Sequence, residues 1–275
     1  GVLNLSLEGM MLWAAFAAAL GAKVTGSPMA GLACGLLAAL LIAAAQAALS
    51  VKIKANQLVV GIGFNIVALG ATTFLYRQTF GGLSRDVIPS FEKWEVPVLH
   101  RIPVLGPALF EQPWLVHAGL LLVLLTWYFL RTTHAGLAVD AAGENPRAAD
   151  QAGIDVARVR TWSVLYAGLL AGFAGAFISV ADISTFTEGM TNGAGYLAVT
   201  AVILGGWRSF PTLGACLLFG SATALQFLLP AMGFAIPTAA LVMLPFVLAL
   251  IAVSGVVAKS RPPAALTIPY DRGGH

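Results

Sequence analysis

The chain alternates long stretches free of Asp, Glu, Lys and Arg with short polar connections. Residues 24–51, 55–76, 112–130, 161–181, 189–207 and 209–258 carry no formal charge. A helix needs about 20 apolar residues to cross a bilayer, so most of these windows are long enough for one crossing and the last for two. The turn signals Pro230-Ala231-Met232-Gly233 and Pro237 divide that last window. The window 9–22 is short and reaches spanning length by extending back through Glu8. The pattern predicts eight hydrophobic segments, near 3–21, 30–49, 57–76, 114–130, 161–180, 195–207, 212–229 and 238–257. The sixth is short and glycine-rich at both ends. The expected fold is all-α, a polytopic membrane helix bundle.

Composition agrees. Of 275 residues 59% are hydrophobic and 10% charged, and the mean hydropathy is +0.87. That leaves too little polar surface for a soluble enzyme of this size. The net charge of +3 is too small for a phosphate-binding face, so no nucleic-acid partner is expected. Cys34 and Cys216 lie in apolar runs and fit neither a disulfide framework nor a zinc site. The chain opens at Gly1 within an apolar stretch, with no basic leader before it, which predicts that a further segment precedes it.

Lysine and arginine placement orients the bundle. With the 131–160 connection in the cytoplasm, ten of the 15 Lys+Arg fall inside and five outside, and the C-terminus is cytoplasmic. This reading makes 1–258 a transmembrane domain, 77–113 an ordered external loop rich in proline, and 259–275 a cytoplasmic tail.

The run Gly143-Glu144-Asn145-Pro146-Arg147-Ala148-Ala149-Asp150-Gln151-Ala152-Gly153-Ile154 predicts a helix of about two turns, with Asn145 as N-cap, Pro146 at the first position and Gly153 just past the end. Asp155 then caps the following helix. Such an element serves equally as a linker between spans or as a rigid knob for a partner's groove.

This run resembles the cytoplasmic coupling segment of ABC-importer permeases of the ribose, nucleoside and branched-chain amino-acid group. Gly1-Val2-Leu3-Asn4-Leu5-Ser6-Leu7-Glu8-Gly9-Met10-Met11 resembles that group's early segment. Gly168–Ala176 and Gly189–Tyr196, followed by Ala201–Arg208, resemble later ones, in the family's order. The tail Arg261–Leu266 with Pro269-Tyr270 is most similar to the nucleoside, or simple-sugar, branch. Asp140 departs from the pattern, standing where the group has a basic residue.

The resemblance implies a non-enzymatic permease subunit of an ATP-driven importer in a bacterial cytoplasmic membrane, forming half of the path for a nucleoside or simple sugar. It implies a second, homologous permease, an ABC ATPase docked on Gly143, Glu144, Asn145, Pro146, Arg147, Ala148, Ala149 and Gly153, and an extracytoplasmic binding protein. ATP would be bound by the partner, and the chain itself has no phosphate-binding loop and needs no cofactor. The alternatives are a branched-chain amino-acid permease of the same type and a stand-alone secondary transporter or channel, for which the spans offer few buried charges.

Polar groups inside spans are candidates for the solute path. Glu8 and Asn4 share a face if the first helix already begins at residue 4; otherwise Asn4 caps that helix and Glu8 complements its positive end. Asn65 is placed for either a solute contact or an interhelical bond. Glu188, Asn192 and Tyr196 lie in a glycine-rich stretch, which is either an ordinary external turn or, at membrane depth, one that must be buried or line a cavity. The tripeptide Glu-Gly-Met occurs twice, at 8–10 and 188–190, by internal repetition or by chance.

Overall fold

A computed structural model describes residues 1–81, 87–95, 111–233, 237–256 and 261–271. Ten α-helices are seen among them: α1 Leu7–Thr25, α2 Pro28–Ala47, α3 Gln57–Thr79, α4 Trp114–Thr132, α5 His134–Glu144, α6 Pro146–Gln151, α7 Val156–Phe177, α8 Ala194–Leu204, α9 Ser209–Ala231 and α10 Thr238–Val256. α2 and α7 each end in a π-helical turn, Ala48–Lys52 and Ile178–Asp182. With these turns included, α1, α2, α3, α4, α7 and α9 are long and apolar enough to cross a membrane. α8, at 11 residues, rises about 16 Å, roughly half a hydrocarbon core.

The chain divides into two compact units, Gly1–Asn192 with Ala265–His275, and Gly193–Ala264. In the second, Ala201 of α8 meets Ala215 and Phe219 of α9 and Ala249 of α10 in a small core. In the first, α1 is the hub, packed on α2, α3 and α7. The packing relies on small residues, because lipid tails give apolar helices no solvent-driven reason to associate and contact quality decides. A side chain at Gly175 of α7 would run into the carbonyl of Met11, one at Gly172 would stand 2.7 Å from the Cβ of Ala39, and one at Gly35 would stand 2.8 Å from the carbonyl of Ala14. The Gly168–Ala176 run is scaffold for these contacts. α4 buries only Leu115 and exposes Leu120, Leu121, Leu124 and Leu125, as a span facing lipid or another subunit does.

The first unit has two polar ends. At one, Lys23 reaches the Thr79 carbonyl, Ile88 N donates to Ser184 O, and Phe16, Tyr76, Phe80 and Phe186 form an aromatic cluster. At the other lie residues 1–3, the α2–α3 connection, α5, α6 and the 265–271 tail.

One expectation changes. The first helix begins at Leu7, not near residue 3, because Asn4 folds into a local turn, its Oδ1 accepting from the Ser6 amide at 3.0 Å and hydroxyl at 2.7 Å. The 77–113 loop carries a two-stranded hairpin, β1 Lys93–Glu95 against β2 Glu111–Pro113, while 82–86 and 96–110 lie outside the described residues.

Candidate functional site

α1 starts inside the bundle. Leu3 N donates to Oε1 of Gln57, the first residue of α3, at 2.8 Å, whereas Leu5 and Gly9 meet Asn65. Asn65 is eight residues along α3, about 12 Å up its axis. Residues 1–6 are non-helical and climb that distance beside α3.

A helix N-terminus at such depth has orphan N–H groups and no water to satisfy them. The N-cap Ser6 makes no side-chain cap. Asn65 supplies it from a neighbouring helix: its Oδ1 accepts from Gly9 N, the third helical amide, at 2.8 Å, and its Nδ2 donates to Leu5 O at 2.8 Å. One buried side chain thus closes both sides of the break between the extended segment and α1. Glu8, in the first turn, places a carboxylate at the positive end of the helix.

A second irregular segment descends to the same level. After the π-helical turn at 178–182 the chain runs without regular helix to Gly193. Glu188 pairs with Arg77 in the last turn of α3, Nε to Oε1 at 2.7 Å and Nη2 to Oε2 at 3.3 Å. This hydrogen bond, and secondarily the Arg77 charge, hold the exposed Glu188 carboxyl below its ordinary pKa. Gly189 stands beside Leu69, a Cβ there lying 3.8 Å from its Cδ1. Thr191, almost fully buried, donates its hydroxyl to Glu8 Oε1 at 2.6 Å. Three residues of this segment therefore track down α3 to the start of α1.

Of the pathway residues read from the sequence, Asn4, Glu8 and Asn65 come together around the α1 break. Glu188 lies away from them, at the far end of α3. Asn192 is exposed, with a left-handed φ of 44°. Tyr196, 43% exposed, belongs to the first turn of α8 in the second unit. Thr191, Gln57 and Arg77 were missed, since nothing local marks a threonine or glutamine whose partner lies scores of residues away. Among the described residues no cluster of His, Cys, Asp or Glu could hold a metal.

The 143–155 segment folds as its sequence directs. Asn145 Oδ1 accepts from Ala148 N at 3.1 Å, Pro146 opens α6, Gly153 takes a left-handed φ of 86° just beyond it, and Asp155 Oδ1 accepts from Arg158 N at 2.9 Å. Ala149 faces inward, 3% exposed, in a cluster with Ala142 and Val156. Glu144, Asn145, Arg147, Ala148, Gln151 and Gly153 face out, while Gly143 is buried.

Residues 1–253 match the model of the family described as branched-chain amino acid transport system / permease component. The chain is 33% identical to the guanosine ABC transporter permease protein of Bacillus subtilis, across 99% of this chain and 89% of that one. It is 30% identical to the nucleoside ABC transporter permease protein of Lactococcus lactis, across 98% and 88%, and 36% identical to a putative glucose ABC transporter permease protein of Haloferax volcanii, across 82% and 69%. No solved structure matches. The chain belongs to this permease family: it is a multi-pass membrane subunit of an ABC transporter.

Proposed function

We propose that this permease forms half of the inward path for a nucleoside or related ribose-bearing solute in a bacterial cytoplasmic membrane. The observation that carries the reading is the meeting of two irregular segments at Glu8 and Thr191, with Asn65 fixing one of them. Backbone of this kind within a span is tolerated where protein buries it or a cavity borders it. A neutral solute rich in hydroxyls is recognised by such groups, and Asn4, Glu8, Asn65, Asn192 and Tyr196 are the candidates along the path, with Glu188 at its outer end. Similarity to guanosine and nucleoside permeases supports the solute class. The family's description favours a second reading, branched-chain amino acids.

α6, with its caps and outward Arg147, Ala148 and Gln151, is the docking knob for a cytoplasmic ATPase. A second permease completes the path and an extracytoplasmic protein delivers the solute.

Uptake by the complete complex in proteoliposomes tests this. Labelled guanosine should accumulate with ATP and be competed by other nucleosides. Leucine uptake without guanosine uptake overturns the solute class. Ala148→Trp should abolish ATPase co-purification while the permease still folds; retained ATPase binding and normal uptake overturn the docking role of α6. Ala149→Trp is not a clean probe, because Ala149 packs inward and tryptophan there would disturb the permease itself.

A further inference from the structure

The tail segment 265–271 is bonded to residue 1, the α2–α3 connection, the end of α5 and α7. Ala265 N donates to Gly143 O, at the end of α5, at 2.9 Å. Thr267 N donates to Gly1 O at 3.2 Å. Ile268 O accepts from Nη1 of Arg160 on α7 at 2.8 Å, and Nη2 of the same guanidinium reaches Ala142 O at 3.4 Å. Tyr270 packs on the cluster of Ala142, Ala149 and Val156. Asp271 Oδ1 accepts from Lys54 Nζ, in the α2–α3 connection, at 2.8 Å.

Two features mark this strap as more than a passive end. Arg160 is 5% exposed, and the partners of its guanidinium are carbonyls, a costly burial unless the geometry is held. Thr267 and Lys54 both sit at left-handed φ, 64° and 62°, uncommon for any non-glycine residue and most of all for the β-branched Thr267, so surrounding bonds must enforce it.

We propose that the strap is a mechanical tie, with Arg160 as its positioning residue, that makes the α2–α3 connection move with α6. α5, α6 and α7 are continuous in the chain, so a push on α6 reaches α7 directly. The α2–α3 connection meets α7 through the packing of Ala48–Lys52, and the strap adds a bonded route through Gly143, Tyr270 and Asp271 to Lys54. The tie converts a local displacement of α6 into a displacement of two further spans. It rests on the reading of α6 as the ATPase dock.

The test uses the complete complex, with Cys34→Ala and Cys216→Ala as background and Lys54→Cys with Asp271→Cys replacing the ion pair. The reduced pair should bind ATPase and hydrolyse ATP as the background does, yet move about fivefold or more less solute per ATP. Closing the pair with a short bis-maleimide should restore the ratio. Arg160→Gln should lower the same ratio, and Arg160→Lys, which keeps the charge but not the fork, should do so less. An unchanged ratio in the open and closed pair overturns the proposal, and remains readable if Arg160→Gln fails to assemble. Failure of the docking reading shows separately, as normal ATPase binding in Ala148→Trp.

Discussion

The two Glu-Gly-Met segments are identical in sequence and differ in nearly everything else. At 8–10 the tripeptide lies in the first turns of a helix. Gly9 is there because a Cβ would stand 2.9 Å from Asn65 Oδ1 and 3.0 Å from the Phe64 carbonyl. At 188–190 it lies in a turn, where Gly189 has a left-handed φ of 64° and ample space. Glu8 meets a buried threonine hydroxyl, while Glu188 forms a bidentate pair at an exposed end. One glycine serves close approach and the other backbone handedness; one carboxylate serves an internal junction and the other a surface clasp. The difference teaches that a short repeat carries residue chemistry, and that long-range partners decide its use.

Breaking the first segment should have the larger effect. Asn65→Leu removes the cap and orphans Gly9 N–H and Leu5 C=O, each loss worth about 1–3 kcal/mol. The thermal midpoint of the solubilised complex should fall and uptake should be lost. A midpoint equal to wild type would mean that water or another group caps α1.

Next come the glycines. Gly9→Ala overpacks the α1–α3 contact, at about 1–3 kcal/mol, and should also impair uptake. Gly189→Ala meets only backbone strain, about 1–2 kcal/mol, and should be rescued by Gly189→Asn, which tolerates the left-handed region. Rescue of position 9 by asparagine would erase the distinction.

Smaller still is Glu8→Gln, which keeps an acceptor for Thr191 and should leave the melting midpoint near wild type while lowering uptake. Thr191→Val removes a hydroxyl donor from the carboxylate and should lower both.

Glu188→Gln is the least disruptive. The pair with Arg77 is exposed, and its effect should vanish in high salt. Its sign with pH follows from a carboxyl held below its ordinary value: the stabilisation is present at neutral pH and is lost as the pH falls through that lowered pKa. A pH titration of the melting midpoint in wild type and Glu188→Gln should show the two curves converging in acid.

What was legible in the sequence was local. The spans followed from charge-free windows, and α6 from Asn145, Pro146 and Gly153, whose bonds lie within a few residues. The start of α1 was not legible, because the acceptor for its third amide sits 56 residues later in α3. The inward direction of Ala149 was hidden too, being set by packing against Ala142, Val156 and Tyr270 rather than by its neighbours in the chain. α5 was submerged in what read as a polar connection, since its charges mask a buried face of Gly136, Ala142 and Gly143. The strap was recognised only as a sequence likeness, because the partners of Thr267, Ile268 and Asp271 lie more than a hundred residues away in the chain.

The cap on α1 also sets an order of events in synthesis. When residues 4–9 leave the ribosome, Asn65 has not been made, and at about 5–20 residues per second it follows several seconds later. Until α3 enters the bilayer, the first amides of α1 must stay near water or borrow a partner from the insertion machinery. α1 therefore reaches its final depth only after α3 has arrived, and a substitution at Asn65 would appear to the cell first as a segment that is slow to leave its insertion site.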